Sequence, residues 1–467
     1  MFRKTLNALR RPVIAAMILG ASVMPATAES LADTMIAAYR HSSLLDQNRA
    51  VLRAADEDVA VAMSALRPVI NWVAQHSYQK VEGYHNRQSS LALQAQITLY
   101  DFGRSQFAID RAKEAVLATR AALVGIEQDV LLSAVEVYLD VRSSIEQVEL
   151  QENSVRVLSE ERQAAADRFE VGEITQTDVS LADAALASAR AGLASAEGSL
   201  EIARENYMAV TGRRPGALAA PPPTPRLPPN TDEARAIAQR THPAITQAQR
   251  SAAAAELGVS AAAAERNPTL TGSVGASTQR SSGNSPQNLT GNSTSDSLSA
   301  SISMSQTLYS GGRLPAVHRQ AMAQRDSARA QLLGASRQVN QAVGTAWAGI
   351  EVARAQIVAI DQQIAAAQQA YDGVREEATL GARTTLDVLD AEQDLLQARA
   401  DKISAEAQLQ LAHYQLLAAM GLLTVENLQL GIPTYDPTAY YNAVRDAPFT
   451  SRQGESLDRV LRSIGRE

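Results

Sequence analysis

The residues best suited to chemistry lie in two matching stretches, Gly172-Glu-Ile-Thr-Gln-Thr-Asp178-Val and Gly381-Ala-Arg-Thr-Thr-Leu-Asp387-Val. The pairs Gly172/Gly381, Thr175/Thr384, Asp178/Asp387, Val179/Val388, Ala182/Ala391, Leu186/Leu395 and Arg190/Arg399 all keep one offset of 209 residues, the distance from 172 to 381. Thr followed three residues later by an acid reads as a capping box at a helix start. There the helix dipole also favours negative charge. Capping alone accounts for Asp178 and Asp387 without any function. Asp390 lies three residues beyond Asp387 and therefore on the same helix face. If that face lines a tube, copies of Asp387 and Asp390 form two stacked acidic rings, suited to selecting or binding cations at a constriction.

Other chemistries lack their residues. His41, His76, His85, His242, His318 and His413 are scattered, with no H-E-x-x-H, and the chain has no Cys, so no metal centre is expected. No G-x-x-x-x-G-K-[ST] and no G-x-S-x-G occurs, and Gly311-Gly312 reads as a turn. The reading is of a protein that is not an enzyme and carries no cofactor.

Residues 1–28 have the form of a secretory leader: Arg3, Lys4, Arg10 and Arg11, an apolar run from Val13 to Val23, then Ala26-Thr27-Ala28 before Glu29. Without its four basic residues the formal net charge moves from −7 to −11, so nucleic acid is a poor partner. The absence of Cys also removes disulfides and a lipid-acceptor thiol. No later segment is an uncharged apolar run long enough to span a bilayer as a helix, so entry into a membrane requires strands.

The elements that must position the two turns are themselves duplicated. The first repeat is read over 29–212, a Pro-rich linker over 213–230, the second repeat over 231–421, and a tail over 422–467. Helical spacing runs from Leu31 to Leu66 and from Thr231 to Arg266, each with a break, at His41-Ser42 and at His242-Pro243; Pro68 and Pro268 stop them. Period-2 alternation then marks β-hairpins over 69–100 and 269–309, with Ile70, Trp72, Leu91, Leu93, Leu298 and Ile302 on one face and Ser, Thr, Asn and Gln on the other. Strands of about 9–11 residues are expected, the length that crosses a bilayer when tilted, with Trp72, Tyr78, Tyr100 and Tyr309 near their ends. Alternation of this kind also fits half-buried hairpins of a soluble domain. The nearly uncharged polar face, and outer loops that differ by nine residues (the offset grows from 200 to 209), favour a water-filled lumen.

Strand turns into helix at Leu99-Tyr100-Asp-Phe-Gly103-Arg104 and Leu308-Tyr309-Ser-Gly-Gly312-Arg313, where Gly103 and Gly312 permit a positive φ. Long helices follow over about 105–169 and 315–378, each roughly 100 Å, then tip turns over 171–178 and 380–387, then return helices of roughly 50 Å over 179–210 and 388–420. A return helix and the first helix of its repeat together match one long helix, so they can stack end to end beside it. Their junctions then fall midway, beside the linker Pro215–Pro229 and the tail. Ala, Gly and Ser on these helices, such as Ala182, Ala185, Ala189 and Gly192, permit close approach of neighbouring helices. Four strands per chain cannot close a barrel, and open edges are not viable in lipid, so several copies must share it. Two copies give a filled eight-stranded barrel and three give a twelve-stranded one with a lumen; four copies also satisfy the arithmetic.

On the duplication, the Leu-Tyr-x-x-Gly-Arg and Gly-x-x-Thr-x-x-Asp-Val turns, and the ending Leu430-Gly-Ile-Pro433-Thr-Tyr435-Asp436-Pro437 with Tyr440-Tyr441, the chain resembles the TolC-like outer membrane efflux and export proteins. The ending resembles the branch serving type I protein secretion and drug efflux. The resemblance implies a mixed α and β membrane protein, a homotrimer with a 12-stranded barrel continued by a helical periplasmic tunnel. It implies residence in the outer membrane of a Gram-negative bacterium, among outer membrane lipid, and docking to a periplasmic adaptor and an inner-membrane pump. It also implies that Asp387 and Asp390 form the rings and that Arg383 ties the closed mouth to the neighbouring chain at Thr177 and Asp178. Ala378 departs from members that carry a tyrosine in this lock. The competing reading is a periplasmic adaptor or structural protein built on helical hairpins. The strand alternation and the duplication oppose it.

Overall fold

The computed structural model describes residues 28–284, 291–446 and 459; apart from Ala28 the leader lies outside them, as do part of the second hairpin loop and most of the tail beyond 446. The first repeat runs α1 (Leu31–His41), α2 (Ser43–Ser64), β1 (Val69–Val81), β2 (Tyr84–Tyr100), α3 (Arg104–Glu170) and α4 (Gln176–Thr211). The second runs α5 (Thr231–Thr241), α6 (Pro243–Ala264), β3 (Thr269–Asn284), β4 (Asn292–Ser305), α7 (Arg313–Thr379) and α8 (Thr385–Ala419), and α9 (Pro437–Val444) follows in the tail. No helix among the described residues is long and apolar enough to cross a membrane.

The four strands form one antiparallel sheet in the order β1-β2-β3-β4, leaving β1 and β4 as free edges. The strands are 13, 17, 16 and 14 residues long, not the 9–11 expected from bilayer thickness. The second hairpin also ends at Ser305, short of the expected 309, which leaves Tyr309 outside the strand. β1 and β2 meet in a two-residue turn, Glu82-Gly83, whose φ values of 43° and 87° fit a type I′ hairpin that matches the strand twist. One face carries Trp72, Leu93, Ala276 and Leu298 in a row across the sheet. The other is a ladder of small hydroxyls, with Oγ–Oγ distances of 2.8 Å for Ser273–Ser301 and Ser277–Ser297.

Below the sheet the helices form a layer. α3 packs against α2 and α4 on one side and against α6 and α8 on the other, and α7 packs against α6 and α8. The columns therefore run α2 with α4, then α3, then α6 with α8, then α7. Each 67-residue long helix is about 100 Å. Beside it a 22-residue helix of about 33 Å stacks on a 36- or 35-residue return helix of about 53 Å. The stack is thus made by α2 and α6 alone. α1 and α5 turn away at the breaks and leave the columns, α1 packing on α3 and α4 and α5 on α7.

The main core lies at these junctions, midway along the layer, and includes Leu31, Leu131, Tyr138, Tyr207, Leu416, Met420 and Leu423. Buried phenols there find partners: Tyr207 Oη lies 2.9 Å from Thr34 Oγ1, and Tyr138 Oη donates to the Ala219 carbonyl of the linker at 2.7 Å. The tail is tied in by the Val425 N–H, which donates to Glu127 Oε1 at 2.7 Å. It then runs up α2 and α3, with Tyr435 over the Arg49 guanidinium and Tyr441 over that of Arg120.

Two glycines make the stacking possible. Gly212 closes α4 with φ 77° against His41, and Gly421 follows α8 with φ 75° against the α5–α6 break. A Cβ on Gly421 would stand 2.7 Å from His242 Cα and 2.9 Å from the Thr241 carbonyl oxygen, both backbone atoms that cannot swing aside. Gly421→Ala is expected to cost more than the ~1–2 kcal/mol of a left-handed residue with a side chain, and so to lower the thermal unfolding midpoint by several degrees. The control Gly258→Ala, a helical position with nothing within 4 Å, should hold or raise the midpoint, since Ala gains about 0.5–1 kcal/mol over Gly in a helix.

Candidate functional site

The far ends of the two long hairpins carry the residues singled out above. Each long helix ends in a Schellman turn. Gly172 (φ 81°) donates to the Phe169 carbonyl and Glu173 to that of Arg168, both at 2.9 Å; Gly381 (φ 76°) donates to Ala378 at 3.1 Å and Ala382 to Glu377 at 2.9 Å. Only glycine takes the left-handed position without strain. The next helix starts at once on its Thr cap. Asp178 Oδ2 accepts from the Thr175 N–H at 2.9 Å and hydroxyl at 2.7 Å, and Asp387 Oδ2 accepts from the Thr384 N–H at 2.9 Å and hydroxyl at 2.8 Å. Both capping boxes are thus formed. The Thr175 hydroxyl and N–H hold the Asp178 carboxyl below its ordinary range. The Thr384 N–H and hydroxyl, helped by Arg383, do the same for Asp387.

Asp390 is exposed one turn further along α8, on the side of Asp387. The same stripe continues through Asp394, Gln397, Asp401 and Ser404, all exposed, with Gln397 Nε2 donating to Asp401 Oδ1 at 2.8 Å. A groove between α3 and α8 is lined by Gln147, Gln151, Gln397, Asp401 and Ser404. Further up, a groove of about 1020 Å³ is lined from α2, α3, α6, α7 and α8 together, by Asn48, Gln128, Gln247, Gln338, Gln341 and Gln415 among others. Side chains from so many successive columns meet only on the concave side of the layer. The lining of that groove carries few charges, with small residues such as Ala121, Gly125, Ala342 and Ala418 between the amides.

Within its own chain Arg383 has a partner that the sequence did not point to. Its Nε donates to Glu377 Oε2 at 2.9 Å, across the turn in the same hairpin, and this pairing raises the guanidinium further above its ordinary value. Arg383 and Asp387 lie close enough to interact, whereas Thr177 and Asp178 sit on the other hairpin at the start of α4. Sequence reasoning missed Glu377, because its approach depends on the Schellman turn folding α7's last turn back over residues 381–383. It also missed the Arg375–Glu161 ion pair of 3.1 Å that joins the two hairpins. Ala378 packs half-buried in the cluster of Tyr371, Val388 and Leu395, so no phenol stands at this position. At the opposite ends of the long helices, Gly103 (φ 85°) and Gly312 (φ 87°) occupy the N-cap positions of α3 and α7. The missing cap is supplied from upstream, where Asp101 Oδ2 accepts from the Ser105 N–H at 2.8 Å and Ser310 Oγ from the Leu314 N–H at 3.1 Å. Among the described residues no group of acids and histidines is arranged to hold a metal ion.

A sheet of long strands set above paired helical hairpins of about 100 Å is the fold of TolC-like outer-membrane channels. Solved structures share it. CusC matches with a TM-score of 0.75 at 19% identity over 85% of this chain and 92% of its own, and VceC from Vibrio cholerae with 0.71 at 23% identity over 84% and 96%. The Outer membrane efflux protein family matches residues 37–213 and 235–422. Outer membrane efflux protein BepC of Brucella suis is 34% identical over 96% of this chain and 98% of its own length, and TolC of Escherichia coli 24% identical over 94% and 93%. The chain belongs to the outer membrane efflux protein family, a family of transport channels, and is an outer-membrane protein.

Glu392, two residues beyond Asp390 on α8, is buried. Burial pushes its carboxyl above the ordinary value of 4.5, against Arg399 and Arg375 and together with Glu161. An acid whose folded value lies above its unfolded one binds a proton more tightly in the native state. Glu392 therefore costs stability at neutral pH, and the cost fades as pH falls through the folded value and is gone below the unfolded one. Glu392→Gln should raise the unfolding midpoint by a few degrees at pH 7.5, with the difference from the native chain vanishing at pH 4.

Proposed function

We propose that three copies of the chain close into a passive exit duct for efflux and type I secretion: a 12-stranded barrel in the outer membrane, continued by a helical tunnel through the periplasm. One observation carries the reading. α2 runs into β1 and stacks on α4, while β4 runs into α7, so each free edge of the sheet lies above a free edge of the helical layer. Exposed apolar side chains lie on those same edge helices: Leu333, Val352 and Val358 on α7, and Val51, Val61 and Ile202 on α2 and α4. Joining β4 and α7 of one copy to β1 and the α2/α4 column of the next removes both sets of edges at once. Three copies give a lumen where two would fill with side chains. The hydroxyl face of the sheet and the amide-rich concave face of the helices then form one continuous wet wall.

In this arrangement the periplasmic end is the gate. Asp387 and Asp390 of three copies face the axis as two acidic rings. Arg383 lies on the α7 side of one copy, and Thr177 and Asp178 at the start of α4 in the next. The closed mouth is held by charge-assisted hydrogen bonds from Arg383 to that neighbour, in competition with its own Glu377. A periplasmic adaptor and an inner-membrane pump supply cargo and energy. The duct itself does no chemistry.

Conductance in planar bilayers separates the two partners of Arg383. Arg383→Ser should raise single-channel conductance several-fold. Glu377→Gln, which removes only the partner in the same chain, should leave conductance unchanged or lower. Equal opening by both substitutions would show that Arg383 acts within its own hairpin.

A further inference from the structure

The strands are longer than a bilayer needs, and the excess is not neutral. Residues opposite one another across the ladder share a face, so the register sorts every strand side chain. The hydroxyl and amide face carries no charged residue at any height: Asn71, Gln75, Ser77 and Gln79 on β1, Gln88, Ser90 and Gln94 on β2, and serines throughout β4. The charged residues of the strands stand on the apolar face. On β2 that face is apolar from Leu99 to Leu91, nine residues, within the length of a tilted strand that crosses a bilayer.

Basic residues begin immediately beyond. The next row is His76, Ser89, Arg280 and Thr294; the one after pairs Tyr78 with Arg87; then Lys80 pairs with His85. His76 Nδ1 lies 2.8 Å from Ser89 Oγ, and the Arg87 guanidinium stands 5.8 Å from the Tyr78 ring centre. A depression of about 470 Å³ opens on this face between Ala74, Leu91 and Thr278 on one side and His76, Ser89 and Arg280 on the other. The one acid in the described strands, Asp296, sits a row deeper on β4, so the rim keeps an excess of positive charge.

Charges placed only to be solvated above the membrane would occur on both faces of the protruding strands. Here they are confined to the face that would meet lipid, at the height where hydrocarbon gives way to headgroups. Resting on the membrane-barrel reading above, we propose that Arg280, Arg87 and Lys80, with His76 and Tyr78, form a binding rim for the phosphorylated sugar headgroup of an outer-leaflet glycolipid of the lipid A class. The guanidinium groups take the phosphate oxygens in charge-assisted hydrogen bonds. The Ala74–Leu91 side of the depression receives the first methylenes of an acyl chain, and Tyr78 sits at the interface where an amphipathic ring belongs.

The test uses delipidated full-length protein in detergent and native mass spectrometry, titrated with diphosphoryl lipid A, with its dephosphorylated form, and with inorganic phosphate as competitor. The native chain should retain the diphosphoryl lipid. Arg87→Gln/Arg280→Gln should bind it about tenfold more weakly, the size expected for losing charge-assisted bonds, and the dephosphorylated lipid should bind both proteins weakly. Equal binding of the two lipids, undiminished binding by the variant, or displacement by inorganic phosphate alone would overturn the proposal. If the double variant fails to assemble on a gel, Arg280→Gln alone carries the same comparison with a smaller loss. Failure of the unsubstituted protein to insert into bilayers would instead defeat the barrel reading, which separates the two.

Discussion

A strand edge inside hydrocarbon must find a hydrogen-bonding partner, because an unpaired N–H or C=O there costs several kcal/mol and no water reaches it. Among its described residues this chain supplies four strands in one sheet and leaves both outer edges open. The rest of the molecule is organised to answer that demand. Each edge strand is continuous with an edge helix, β1 with α2 and β4 with α7, so in the proposed assembly a single rotation between copies would satisfy the sheet and the helical layer together. The duplication follows the same logic. Two similar repeats, each one hairpin of strand above one hairpin of helix, give a protomer whose left and right edges are alike enough to meet.

The second constraint is length. Long helices need neighbours along their whole extent, and the return helices reach only half way from the tip. α2 and α6 complete the columns, and the junctions need glycine because two helix ends and a chain break share one place. The core gathers there, where the linker, the tail with Leu423, α1 and α5 cover the joints and α3 and α4 supply Tyr138 and Tyr207. At the tips the packing thins to small clusters such as Leu158, Leu186, Ala189 and Leu389. Few buried apolar contacts are the mark of a region that opens at low cost. A gate proposed at this end has the mechanics it needs.

Much of this was legible in the sequence, for identifiable reasons. Period-2 alternation, proline stops and the Gly-x-x-Thr-x-x-Asp turns are local signals, and the helix ends at Glu170 and Thr379 fall within a residue of where they were expected. The capping boxes at Thr175 and Thr384 formed as the spacing required. Strand length was misjudged because bilayer thickness sets a minimum, and nothing in alternating Ser and apolar residues says where lipid ends. The register was needed to see that Arg87 and Arg280 share the face of Leu93. Glu377 as the partner of Arg383 was equally hidden, since six residues apart is no helical neighbour and only the Schellman turn brings them together. Asp390 could be placed on a face but not on an axis, because the axis belongs to an assembly of chains.

Electron cryomicroscopy of the detergent-extracted protein tests the central claim most directly. The account predicts threefold particles in which β4 of each chain pairs with β1 of the next, closing twelve strands over a helical cylinder with Asp387 and Asp390 facing its axis. A monomer, a copy number other than three, or a barrel in which β1 and β4 stay unpaired would contradict it.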